Sequence, residues 1–221
     1  MPRVTVLSAT PAALPPVTDA LGAIPGIDLV HLLDEGLLRL VLDAGEITPA
    51  CVQRFVAQLA TAAASSDAVV VTCNVYSNVL AAVRPAFGSA PILAIDEPMV
   101  RAAVTRARRI AVVATGAAGL RSQTELITGT ARALGREVEI VPVLREAAFA
   151  ALIAGDGETH DAIVRAALAE LDGVDLAVLA QASMARALAP TQGSEHAIPA
   201  PVPVLSSPGM AADELRRILA V

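Results

Sequence analysis

The sequence predicts an α/β protein of two lobes related by a pseudo-twofold, each a mostly four-stranded parallel sheet flanked by helices. Three observations carry this reading. The stretch Asp67-Ala-Val-Val-Val-Thr-Cys73-Asn74 is a run of small and β-branched residues without polar alternation, the pattern of a parallel strand covered on both faces. Apolar strand patterns alternate with helical ones along the chain, which argues for parallel sheets with helices on both faces. The pattern also repeats: Asp175-Leu-Ala-Val-Leu-Ala-Gln181-Ala-Ser183-Met184 copies the first stretch 108 positions later, with Asp175 at the place of Asp67 and Gln181 at that of Cys73.

Taken in order, strands are expected near residues 3–8, 28–33, 67–72, 91–95, 109–114, 137–142, 175–180 and 202–205, with helices between them. The clearest helix is 48–64, where Thr48 can cap and Pro49 takes the first helical position. The repeat extends beyond the central strand. Arg3-Val-Thr-Val-Leu-Ser8 is echoed by Arg109-Ile-Ala-Val-Val-Ala, and Pro91-Ile-Leu-Ala-Ile-Asp96-Glu-Pro98-Met99 by Val202-Pro-Val-Leu-Ser206-Ser-Pro208-Gly-Met210. Two halves built alike in this way would face each other across a cleft.

Cys73 ends its strand where Tyr76, Val79, Leu80 and Val83 begin a helical spacing, so unpaired N–H groups should surround the thiol. That setting can lower a cysteine pKa from about 8.5 toward neutrality and make it a base or nucleophile. Cys51, by contrast, shares a helix face with Val52, Phe55, Val56 and Leu59 and reads as core. Ser8 and Thr10 close the first strand and should open onto the same cleft as Cys73, although turn and cap chemistry would suit them equally.

Composition narrows the classes. Hydrophobic residues make up 55% of 221, enough for a large core, but Arg, Asp, Glu, Gln or Pro interrupts every run before membrane-spanning length. Pro2-Arg3 leads straight into a strand rather than a secretory leader, and a cytoplasmic protein with free thiols is expected. A net charge of −6 and 2% aromatics argue against nucleic acid as a partner. All 16 basic residues are arginine, so neither a Schiff-base lysine nor a Walker A lysine exists and no cofactor is expected. His31, His160 and His196 are scattered without metal-ligand spacing, so no metal site is expected; His196, in the stretch 191–203 read as a loop over the cleft, is an alternative acid.

The T-C-N-x-x-S setting of Cys73, the matching strand end at Gln181 and the D-E-P-M turn at Asp96–Met99 resemble the aspartate/glutamate/hydantoin racemase family, which also holds maleate isomerase and arylmalonate decarboxylase. The resemblance spans nearly the whole chain. It implies that residues 1–96 with 206–221 form the first lobe and 97–205 the second. It also implies Cys73 as catalytic residue, with Ser8, Thr10, Asn74, Thr115, Gln181 and Ser183 binding substrate. In the racemases each half supplies one cysteine; here Gln181 holds the second place, and an amide does not titrate. Ser8 stands where glutamate racemases carry an acid, which weighs against an amino-acid substrate. The expectation is a cofactor-independent racemase or isomerase acting on a small carboxylic acid, amino-acid-like or a dicarboxylate, with Cys73 as thiolate base or nucleophile in the cleft between the lobes. A decarboxylase or lyase on the same scaffold, or a non-catalytic carboxylate-binding protein, are the alternatives. Substrate identity and any homo-oligomer stay open.

Overall fold

The computed structural model describes residues 1–188 and 200–221. Two four-stranded, all-parallel sheets form along the chain. The first contains β1 (Arg3–Ser8), β2 (Asp28–Leu33), β3 (Ala68–Val71) and β4 (Ile92–Ala94) in the order β2-β1-β3-β4. The second contains β5 (Arg109–Ala114), β6 (Glu139–Leu144), β7 (Leu176–Leu179) and β8 (Val204–Leu205) in the order β6-β5-β7-β8, the same topology.

The duplication is written into the hydrogen bonds. Asp67 Oδ2 accepts from the Arg3 N–H at 2.7 Å, and its counterpart Asp175 accepts from Arg108 and Arg109 N–H at 2.7 and 2.8 Å. Those donors pull the Asp175 carboxyl below the usual range. Arg3 Nε pairs with Asp28 at 2.8 Å, and Arg109 Nε with Glu139 at 3.1 Å. The aspartate before each central strand therefore does the same local work twice. It satisfies N–H groups at the start of the neighbouring strand, which would otherwise lack partners.

Side chains alternate across each strand, and both faces are covered. On one face of the first sheet, Val4, Val6, Val70 and Leu93 pack against α1 (Leu14–Gly22) and α9 (Ser207–Leu219), whose Ala211, Ala212 and Leu215 join this core. On the other face Leu7, Val69, Val71 and Ala94 meet α2 (Glu35–Ala44), α3 (Pro49–Ala64) and α4 (Ser77–Val83). In the second sheet Ile110, Val112 and Val178 face α5 (Glu97–Arg106) and α6 (Ala117–Ala133). Its opposite face, with Val113 and Leu179, meets α7 (Glu146–Ile153) and α8 (Gly157–Ala169).

Thr48 caps α3 as its position suggests, accepting from the Cys51 N–H at 3.3 Å, and Pro49 opens the helix. Cys51 is fully buried in the core beside Phe55. β6 starts two residues later than expected and runs through Pro142. As an edge strand it has one side unpaired, which tolerates the missing N–H. His160 lies in α8, fully buried, with Nδ1 2.7 Å from Asp161. No described helix is long and apolar enough to cross a membrane.

Phe55 is fully buried and stacks on Tyr76 with ring centroids 4.8 Å apart. Phe55→Ala should therefore cost about 3–5 kcal/mol in urea unfolding. Ile153→Ala, at a site 66% exposed, should stay within about 0.5 kcal/mol.

Candidate active site

The carboxyl ends of β1, β3, β5 and β7 surround a cavity of about 340 Å³, where ligands of open parallel sheets bind. Thr10, Cys73, Asn74, Thr115, Gln181 and Ser183 all line it. Chain segments more than 100 residues apart thus meet at one place, with the Cys73 and Gln181 strand ends on the same cavity.

Gly119, on the first turn of α6, is one point of contact between the halves. Its carbonyl accepts from Asn74 Nδ2 at 2.9 Å, and a β-carbon there would collide with the Gln181 amide. Gln181 Oε1 accepts from the Thr115 N–H at 3.1 Å, so its nitrogen end is turned toward Gly119. Ser122 Oγ donates to the Asn74 carbonyl at 2.6 Å and fastens the same seam. Asn74 is therefore a strut between the halves as well as a wall of the cavity.

Ser8 is not on that wall. It is fully buried, and its hydroxyl accepts from Thr72 Oγ1 at 3.0 Å, so Thr72 stands between it and the cavity, which Thr72 itself lines. Thr10 does line the cavity while its Oγ1 caps the short 3₁₀ turn Pro11–Ala13, accepting from the Ala12 N–H at 3.4 Å. Ser183 lies in the 3₁₀ helix Ala182–Leu188. His196 and residues 191–199 of the expected loop fall outside the described residues.

The expected thiolate is overturned. Burial pushes the Cys73 thiol up to about 11, and the negative charge of Asp96 adds to the rise. The N–H groups of Val75 and Tyr76 pull the other way but do not win. Only a three-residue 3₁₀ turn and the seven-residue α4 follow the thiol, a short stack of dipoles. The walls are apolar: Leu38, Val41 and Leu42 of α2 and Phe149 and Leu152 of α7. In such surroundings desolvation outweighs a few N–H dipoles and favours the neutral thiol.

Three residues that strand-end reasoning passed over also matter here. Arg121 lines the cavity, donates to the Gly45 carbonyl at 2.9 Å and has no carboxylate partner among the described residues. Glu146 lines it from the second half, just beyond the end of β6. Asp96, just past β4, is fully buried; Oδ1 accepts from Ser77 Oγ at 2.8 Å and Oδ2 has no partner among the described residues. Burial lifts its pKa to about 7, against the pull of that hydrogen bond. Extending the repeat to every strand end would have flagged Glu146 and Asp96. No group of three His, Cys, Asp or Glu among the described residues could hold a metal ion.

A family profile described as Asp/Glu/Hydantoin racemase matches residues 43–215. The chain belongs to this racemase family. Its fold is shared with glutamate racemase RacE1 of Bacillus anthracis (21% identity, TM-score 0.69), over 99% of this chain and 82% of that one. The aspartate racemase of Picrophilus torridus is similar over 100% and 95% of the two chains, with 14% identity and a TM-score of 0.70. The allantoin racemase of Klebsiella pneumoniae is similar over 100% and 88%, with 19% identity and a TM-score of 0.63. No curated protein matches the chain in sequence. Family membership supports a racemase-type enzyme, an isomerase, and the cavity between the racemase halves is its candidate active site.

Two measurements follow from this geometry. Native alkylation should modify Cys73, which reaches the cavity, far faster than the fully buried Cys51, with a rate still climbing above pH 9. The second concerns stability. Asp96 binds its proton more tightly folded, at about 7, than at the ordinary 3.8. Its contribution is thus complete below pH 3.8 and lost as pH rises through 7. The thermal midpoint should fall between these limits, by about 2–4 °C per kcal/mol for a chain of this size, and Asp96→Asn should flatten that slope.

Proposed function

We propose that this racemase-family protein is a cofactor-independent enzyme that moves a proton on the carbon beside a carboxylate, with Cys73 acting on one face. The observation that supports it is the pairing of Cys73 with Gln181 on one cavity. One half brings a sulfur that can hold a proton, and the other brings an amide fixed by Thr115. An amide donates a hydrogen bond but exchanges no proton, so Gln181 and nearby donors suit the oxygen of an enediolate rather than its carbon. Glu146 brings a carboxyl group to the cavity from the second half and is the candidate second acid.

The walls point to the substrate. Arg121 offers a guanidinium to a carboxylate, a pairing that suits its planar fork. Leu38, Val41, Leu42, Phe149 and Leu152 leave the remaining space apolar. A small carboxylic acid with an aliphatic or aromatic substituent fits this surface better than aspartate or glutamate, whose second charged group would lose its water here.

The neutral Cys73 thiol favours a second reading, a decarboxylase on the same scaffold. In that reaction a malonate-type acid breaks its bond to one carboxyl group, carbon dioxide leaves, and the remaining enediolate carbon takes the proton from Cys73 Sγ. Proton NMR in deuterated water separates the two. Cα exchange without loss of carbon marks the isomerase, and product carrying one deuterium marks the decarboxylase. Cys73→Ser should reduce either signal by about a hundredfold or more, the usual scale for losing a proton-transfer group. Glu146→Gln should suppress exchange of one enantiomer selectively. Gln181→Cys should raise exchange of both enantiomers, and the gain should vanish in Cys73→Ser/Gln181→Cys. Wild-type activity that survives Cys73→Ser would overturn the proposal.

A further inference from the structure

Asp96 is absorbed by neither reading of the site, yet it is a buried carboxyl with one oxygen left without a partner among the described residues. Its position follows from the sheet. In the parallel pair of β3 and β4, Val69 lies beside Ile92, Val70 beside Leu93 and Val71 beside Ala94, and the Ile95 N–H continues the ladder by donating to the Val71 carbonyl at 2.9 Å. Two residues past the last paired positions come Cys73 on one chain segment and Asp96, the residue before α5, on the other, near enough for the Asp96 charge to act on the thiol. Alternation puts both on one face. Val69, Val71, Ile92 and Ala94 pack into the core under α3 and α4, and Cys73 packs against that same core. Ser77, on the first turn of α4, reaches Asp96 from this side.

We propose that Asp96 is a positioning residue that gates Cys73: while its carboxylate is charged it holds the neighbouring thiol protonated, and when it takes up a proton it lets the thiol ionise. Two negative charges in one dry pocket are costly, so the pocket accepts a thiolate readily only when the carboxylate is neutral. The other charged groups leave this coupling in place. Glu97, next in the chain, adds its own negative charge but is paired with Arg84. No charged residue lies between Ser77 and Val83 on α4. Tyr76 donates its hydroxyl to the Leu37 carbonyl. On α6, which packs on α4 and α5, the fully buried Gln123 is neutral, and Glu125 accepts from Asn78 of α4 at 3.0 Å on the exposed side of that contact. From α9, Glu214 and Arg217 pair with each other. Asp96 ionises near pH 7, so the gate would turn over close to neutrality.

The inference rests on Cys73 being the reactive group of the site, and its test reads the thiol directly, so it stands or falls separately from turnover. The probe is N-ethylmaleimide, an uncharged reagent, with the rate at Cys73 followed by mass spectrometry from pH 5.5 to 9.5 in wild type and Asp96→Asn. If the gate exists, the substitution lowers the apparent pKa by about one unit. The tenfold gain in thiolate is then partly offset by weaker nucleophilicity, and the rate at pH 8 rises about threefold. The two profiles should converge near pH 6, where Asp96 of the wild type is already mostly protonated. Ser77→Ala removes the hydrogen bond that keeps Asp96 acidic, so it should widen the pH range of fast labelling without deleting the carboxyl. Coincident profiles for wild type and both variants would overturn the gate. Slower labelling in Asp96→Asn would overturn it too, since the carboxylate would then be assisting thiolate formation.

Discussion

At Gly119 the backbone of the second half comes close enough to receive the Asn74 amide of the first while leaving room for the Gln181 side chain. A single added carbon would occupy that room. The seam matters because the two sheets carry separate cores and meet at the ends of their strands. The Asn74 and Ser122 hydrogen bonds join the two halves beside the cavity, and the Thr115 bond fixes Gln181 within the second half. Through them the duplicated architecture becomes one site rather than two clefts, with a thiol from one half and an amide from the other.

The same closeness explains the chemistry of the thiol. Packing the strand ends against α2 and α7 surrounds the cavity with Leu38, Val41, Phe149 and Leu152 and leaves Cys73 half-buried in a largely apolar wall. Desolvation then sets its protonation state, and Asp96, buried by the same packing, pushes it in the same direction. In the proposed reaction, the low dielectric that raises the cost of a thiolate would also strengthen each hydrogen bond that Gln181 or its neighbours offer to an oxyanion.

Much of this was legible in the chain because local patterns and tertiary needs agree. The strand run before Cys73, the cap at Thr48, the aspartates at 67 and 175 and the prolines at 98 and 208 all reappear in the structure in the expected elements. The core placement of Cys51 followed from helical periodicity alone. Ser8 was misplaced for a reason periodicity cannot see. The rule that strand ends face ligands is true of the sheet as a whole, but Thr72 on the adjacent strand covers this end.

By itself the sequence determined the α/β class, the duplication and the meeting of Cys73 with Gln181. These depend on apolar periodicity and on strand ends that must point the same way in a parallel sheet. Only the tertiary structure decided the ionisation of the thiol and the recruitment of Arg121, Glu146 and Asp96. A pKa depends on the water and charge that surround a group in space, and those surroundings are assembled from segments far apart in the chain.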